Sequence, residues 1–319
     1  MSTLIHSNRW RLSPIVFAAS LSFTPIAMAA DAPAVDWLAS AALGLKAFEF
    51  EEQRQGVILS SQNTGSVGAT FSNDADYDET LPYLDLGLGL AFSQFYLVGN
   101  IELPLQDVDF KQSFVGRNAT GAVNRNTNVG DLSRLDYSIT FGYNVMEGVA
   151  LFAGFKAGET ELDFDTQSAP NIPPDYESSY EEDGFFVGGS YTIDVAEAGA
   201  LTFSIAYADF DAEYSESGSF GVPNSPTNVT TPLLDGVRYD GDADGFSYGV
   251  QWTGGLAESL QYRVALKYQK YELDGGGSRQ SFTNTNVTGE PPEVFNNIGL
   301  DIETTQEITT FSVGLAYIF

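Results

Sequence analysis

The sequence predicts an all-β chain, a transmembrane antiparallel barrel of ten strands in up-and-down order. Three observations predict it. Apolar residues recur at every second position over stretches of roughly ten residues, which is the period of a strand and not of a helix. Beyond the N-terminal segment, no apolar run approaches the ~20 residues that a spanning helix needs. The connections between the alternating stretches are short and long in strict turn.

The N-terminal segment is expected to be removed. Arg9 and Arg11 precede an apolar run from Ile15 to Ile26, and Ala27-Met28-Ala29 offers small residues for cleavage near Ala29. Residues 1–29 therefore read as a signal peptide and 30–319 as a single barrel domain, exported by the general secretory route. Ser20, Ser22, Thr24 and Pro25 interrupt the apolar run and shorten it for a membrane anchor.

An opening strand near 37–50 carries Lys46 on one face. Residues 84–92 (LDLGLGLAF) set Leu84, Leu86, Leu88, Leu90 and Phe92 against Asp85, Gly87, Gly89 and Ala91. Ser93-Gln94 then turns the chain into FYLVGNIELPL, with Phe95, Leu97, Ile101 and Leu103 opposite Asn100 and Glu102, as in a hairpin. RLDYSITFGYNV places Leu135, Tyr137, Ile139, Phe141 and Tyr143 opposite Arg134, Asp136, Ser138 and Thr140. Met146-Glu147-Gly148 leads into VALFAGFKAG, where Lys156 faces away from Leu151 and Phe155. GFFVGGSYTI turns at about 194–199 into ALTFSIAY. GFSYGVQW turns at about 253–259 into LQYRVALKY, in which Arg263 and Lys267 oppose Tyr262, Val264, Leu266 and Tyr268. The closing strand, 303–319, ends ITTFSVGLAYIF.

Long polar loops are expected at about 52–79, 111–131, 163–183, 212–243 and 274–302. Ten strands with four short turns and five long loops put both termini on one side, the arrangement of single-chain bacterial barrels. Trp37, Phe92, Phe95, Tyr143, Tyr191, Trp252, Tyr317 and Phe319 gather at the short-turn end, where an interfacial girdle would sit.

The end LAYIF, with aromatics at 317 and 319, resembles the terminal signature of Gram-negative outer-membrane β-barrels. That resemblance implies location in the bacterial outer membrane and contact with outer-membrane lipid and lipopolysaccharide. It also implies recognition by the barrel assembly machinery.

Composition narrows the function. Cysteine is absent, which removes a lipoprotein anchor, disulfides and thiolate metal sites. Two arginines and no acid leave with the first 30 residues, so the net charge moves from −29 to −31. Nucleic-acid phosphates would repel such a chain. At 43% hydrophobic and 13% aromatic residues it is nonetheless a folding sequence, not a disordered acidic one. The strand count is also that of the omptin proteases, which work with paired acids and an Asp–His pair. Here the one histidine is His6, inside the expected signal peptide, so histidine general-base chemistry is lost with it. No enzymatic role is expected.

Strand parity points Lys46, Asp85, Glu102, Arg134, Asp136, Lys156, Arg263 and Lys267 into the lumen. These residues are either the wall of a narrow pore or an ion-pair network that fills the barrel. Barrels of about eight strands are filled and those of 16–18 leave a channel, so ten lies nearer the filled end. The expected function is a porin-like narrow channel for ions or small solutes, monomeric, with an acidic outer rim that attracts cations. The alternative is a closed-lumen structural or adhesive barrel acting through loops 212–243 and 274–302. No resident cofactor is expected beyond weakly bound Ca²⁺ or Mg²⁺. YDGDADG places Asp240, Asp242 and Asp244 in the opening pattern of a calcium loop, although the twelfth position is Gln251 and not Glu.

Overall fold

The computed structural model describes residues 35–61, 70–117, 123–165, 177–195, 198–217, 238–283 and 293–319. The expected signal peptide lies outside them. Eleven strands are present among these residues: β1 (Val35–Ser61), β2 (Thr70–Phe92), β3 (Phe95–Pro104), β4 (Val108–Arg117), β5 (Val123–Met146), β6 (Val149–Phe164), β7 (Glu177–Asp194), β8 (Ala200–Ser217), β9 (Arg238–Ala257), β10 (Leu260–Thr283) and β11 (Glu293–Ile318). Every pairing is antiparallel, and β1 pairs with both β2 (Leu43↔Leu84) and β11 (Leu38↔Ile318), which closes the sheet on itself.

The ring nevertheless has the expected ten positions. β3 and β4 both pair with β2 on one side and β5 on the other, so they are two halves of one stave. The break falls after Pro104, whose missing N–H ends the ladder. Leu105 N then donates to Pro82 O at 3.0 Å as the chain bends into β4.

The short turns fall at the expected connections, although β9 runs on to Ala257, inside the turn expected at 253–259. Ser93 (φ 56°) and Gly148 (φ 72°) supply the left-handed residues at the β2–β3 and β5–β6 connections. The chain ends are tied at the same edge, where Trp37 and Phe319 exchange backbone hydrogen bonds of 3.3 and 2.9 Å.

The long loops are the main correction. Residues 52–61, 70–79, 111–117, 123–131, 163–164, 177–183, 212–217, 238–243, 274–283 and 293–302 belong to strands. The physical reason is an inversion of polarity along each stave. In β1, Leu43 and Leu45 face outward and are about half exposed, while Ser40, Ala42 and Lys46 are buried inside. Two turns of the pleat further on, Glu49 and Glu51 face outward and Phe48 and Phe50 are buried inside. The alternation continues with the faces exchanged, so the outward residues look like a polar loop in sequence.

Length agrees with this reading. A 27-residue strand such as β1 extends about 90 Å at ~3.3 Å per residue, or about 70 Å along a barrel axis at the usual tilt. The apolar band of such barrels is only ~25 Å tall. The remainder of the wall stands clear of lipid, as a water-facing barrel with its own apolar interior.

Candidate functional site: the filled lumen

The lumen is stacked in layers, each set by strand parity. Above the lipid-facing band lies an aromatic plug. Phe50 stacks on Tyr77 (5.2 Å) and meets Tyr180 edge-on (5.4 Å). Phe110 meets Phe164 (5.3 Å), and Phe210 meets Tyr271 (5.0 Å). Leu81, Leu132, Ile302 and Ile308 are each no more than 1% exposed and fill the rest.

Beneath the plug, the structure brings together all eight lumen residues read from the sequence. Arg134 forks onto Asp136 (Nε–Oδ2 3.0 Å, Nη2–Oδ1 2.8 Å), donates to Thr160 Oγ1 (2.8 Å) and pairs with Glu182. Lys46 bridges Asp136 and Glu102 Oε2 (2.8 Å). Lys156 reaches Glu182 (3.2 Å) and Asp136 (3.5 Å). Lys267 contacts Glu102 at 3.4 Å, Arg263 pairs with Asp85, and Asn100 donates to Asp85 at 2.7 Å. Arg134 also sits 5.3 Å over the Phe48 ring and Lys156 sits 5.0 Å over Tyr271, so the plug rests on the charges. None of the eight residues is more than 8% exposed.

Glu182 is the member that sequence reading missed. It is 1% exposed and holds both Arg134 and Lys156. The signal was present: Ser178, Tyr180 and Glu182 alternate in phase with the inward Phe186. The expected strand, however, began at Gly184. A neighbouring glycine makes the cluster possible. A Cβ on Gly158 would stand 2.5 Å from Arg134 Nη2, 2.8 Å from Asp136 Oδ1 and 3.0 Å from Glu182 Oε1.

A second polar group caps the plug on the loop side. Arg54 pairs with Glu52 and Glu216 and lies 4.8 Å over the Tyr214 ring, which stacks on Tyr239 at 4.6 Å. Tyr239 donates to Glu52. Burial first, then the Glu52 carboxylate, hold the Tyr239 phenol well above its ordinary range, so it remains a donor. These residues fell in the expected loops and were not anticipated.

Asp240, Asp242 and Asp244 are not in a loop. They occupy alternate positions of β9, on the outer face. Alternate residues of a strand are ~6.6 Å apart, whereas calcium ligands converge to ~2.3–2.6 Å from one point. Among the described residues, no group of three or more His, Cys, Asp or Glu side chains is arranged to hold a metal ion. The three aspartates belong instead to rows of carboxylates that run round the outer wall. One row is Glu159↔Glu181↔Glu213↔Asp240, and another is Asp183↔Asp211↔Asp242↔Asp274↔Glu303. Burial, then the adjacent carboxylates Asp163 and Glu177, push Glu161 above its usual value.

The fold is similar to that of the outer membrane protease OmpT from Escherichia coli, with a TM-score of 0.57 at 13% identity, covering 94% of this chain and 99% of that one. The outer membrane protein OprG from Pseudomonas aeruginosa superposes less well (TM-score 0.39, 10% identity, 90% and 97% covered). So does the Pseudomonas putida toluene transporter TodX (TM-score 0.28, 9% identity, 88% and 90% covered). No protein-family model matches the sequence, and neither does any curated protein. The chain has the fold of Gram-negative outer-membrane β-barrels. At 13% identity the likeness to OmpT shows the architecture alone.

Proposed function

We propose that this chain is an outer-membrane barrel whose lumen is closed to ions and solutes, and that it works at the cell surface through the wall it raises above the lipid. The observation that carries this reading is the filling of the lumen. Ion pairs, the aromatic plug and the Arg54 group lie one above another across the bore. A cavity between the ion pairs and the plug measures about 20 Å³, room for about one water. An ion crossing this interior would have to part charge pairs that lack solvent and then displace packed rings, each step costing several kcal/mol.

The protein would then act as a rigid scaffold. Its partners are lipid and lipopolysaccharide along the lower wall, and whatever the upper wall contacts above the lipid. The acidic rows would concentrate Ca²⁺ and Mg²⁺ near the surface by general attraction, without a defined site. A porin-like channel is the second reading. It is favoured by the mixed charges on the inner wall, which resemble a constriction in residue type but are paired in geometry. No catalytic role is assigned.

Liposome swelling tests the proposal. Vesicles holding the refolded barrel should fail to swell in isotonic small sugars and amino acids, as protein-free vesicles do. Swelling rates graded by solute size would support the channel reading instead.

A further inference from the structure

The buried charges in the middle of the lumen do not balance. Among the described residues, four cations (Lys46, Arg134, Lys156, Lys267) are linked to three carboxylates (Glu102, Asp136, Glu182), and Arg263 pairs with Asp85 beside them, which leaves one positive charge in excess. The compensating negative charge of the Arg54 group lies on the far side of the aromatic plug. An unmatched charge in a low-dielectric interior is strongly unfavourable unless a counter-ion or proton change accompanies it.

The surplus can be located. Arg134 and Lys46 each make two carboxylate contacts, and Lys156 makes two more. Lys267 has one, to Glu102, at 3.4 Å. Lys156 and Lys267 both line the 20 Å³ cavity, against Ala206 and Ala208, whose small side chains leave the space open. Ser138 lines it as well, 2% exposed, and its hydroxyl has no hydrogen-bond partner. A cavity with two ammonium groups, an unused hydroxyl donor and one positive charge in excess has the chemistry of an anion site.

We infer that this cavity holds one small monovalent anion, of chloride size, between Lys156 and Lys267. The volume admits one monatomic ion and excludes phosphate or sulfate. A charge of −1 neutralises the layer. Glu102 and Asp136 also border the space, but their oxygens are engaged by Lys46 and Arg134, which directs the ion toward the lysines. The inference rests on the closed lumen, since an open one would admit water and mobile counter-ions in place of a fixed ion.

The test is to refold the full barrel in bromide, crystallise it and collect anomalous diffraction at the bromine edge. The expected result is one ordered peak between the two lysine nitrogens, lost in Lys267→Met and in Lys267→Gln while the heat-modifiable barrel band persists on gels. Thermal midpoints add a second readout: the wild type should unfold several degrees higher in chloride than in gluconate at equal ionic strength, and both variants should be indifferent. A cavity holding water with no anomalous signal, or a chloride effect unchanged in both variants, overturns the site. Bilayer recordings on the same preparation separate this from the closed-lumen reading. Silent barrels without bromide refute the ion alone, and conducting barrels with ordered bromide refute the closure alone.

Discussion

Replacing Glu182 with glutamine should destabilise the barrel by several kcal/mol. The carboxylate is 1% exposed and receives Arg134 Nη2 and Lys156 Nζ. The amide of Gln306, turned with its nitrogen toward Glu182 Oε2 (2.9 Å) and its oxygen toward Arg134 Nη1 (3.1 Å), completes its surroundings. Glu182→Gln keeps the shape and removes the charge, so the positive excess of the middle layer rises from one to two. Breaking one side of a buried pair in this way costs about 3–5 kcal/mol. With an m-value of about 3 kcal/mol/M, the urea midpoint for unfolding from micelles falls by about 1 to 1.7 M. The control is Glu161→Gln on the outer wall, which removes a charge from among like charges and should leave the midpoint within ~0.5 kcal/mol or raise it slightly. A Glu182→Gln midpoint within about 0.3 M of wild type, at unchanged m, would refute the view that this network is dry and tightly coupled.

Gly158→Ala should cost about 1–3 kcal/mol, because the added carbon meets Arg134 Nη2 at 2.5 Å and the network holds that nitrogen in place; the same urea titration checks it. Phe50→Ala, 3% exposed between Tyr77 and Tyr180, should cost about 3–5 kcal/mol and loosen the plug, and tyrosine near-ultraviolet circular dichroism would report the lost packing. Stability should rise as pH falls from neutrality. Burial, then neighbouring carboxylates, raise Glu161, Asp163 and Asp131 in the folded wall. Their folded forms therefore bind protons more tightly than the unfolded chain does. The penalty they impose is complete above the raised values, is relieved as pH descends through them, and is gone below the ordinary carboxylate range. Thermal midpoints measured downward from pH 7 should increase, and Glu161→Gln with Asp163→Asn should flatten the rise.

The lipid-facing half of the fold was legible because a membrane enforces one rule on every stave, apolar outward and small or polar inward. Leu43, Leu88, Phe141 and Leu266 announce it, and parity then places Lys46, Asp85, Glu102 and Arg134 correctly. Above the lipid the rule reverses. There Phe48, Phe110 and Tyr180 point inward beneath outward Glu49, Asp109 and Glu181, and a periodic signal with its sign changed reads as a polar loop. Glu182, Arg54 and Glu216 were hidden by the same reversal. The Asp240–Asp242–Asp244 spacing fits a metal loop and a strand edge equally well, since alternate carboxylates converge or spread according to the backbone, and pairing with β8 and β10 decides it. Whether the lumen was open was not readable from charge types at all. It depends on which side chains meet across the bore, and those contacts join residues as far apart as Asp85 and Arg263.

The closed lumen is tested most directly by single-channel recording of the refolded barrel in a planar bilayer at molar salt. Insertion without conductance steps is the predicted result, with steps appearing only after the plug is opened, as in Phe50→Ala combined with Glu182→Gln. Discrete, regular openings of the unaltered protein would contradict it.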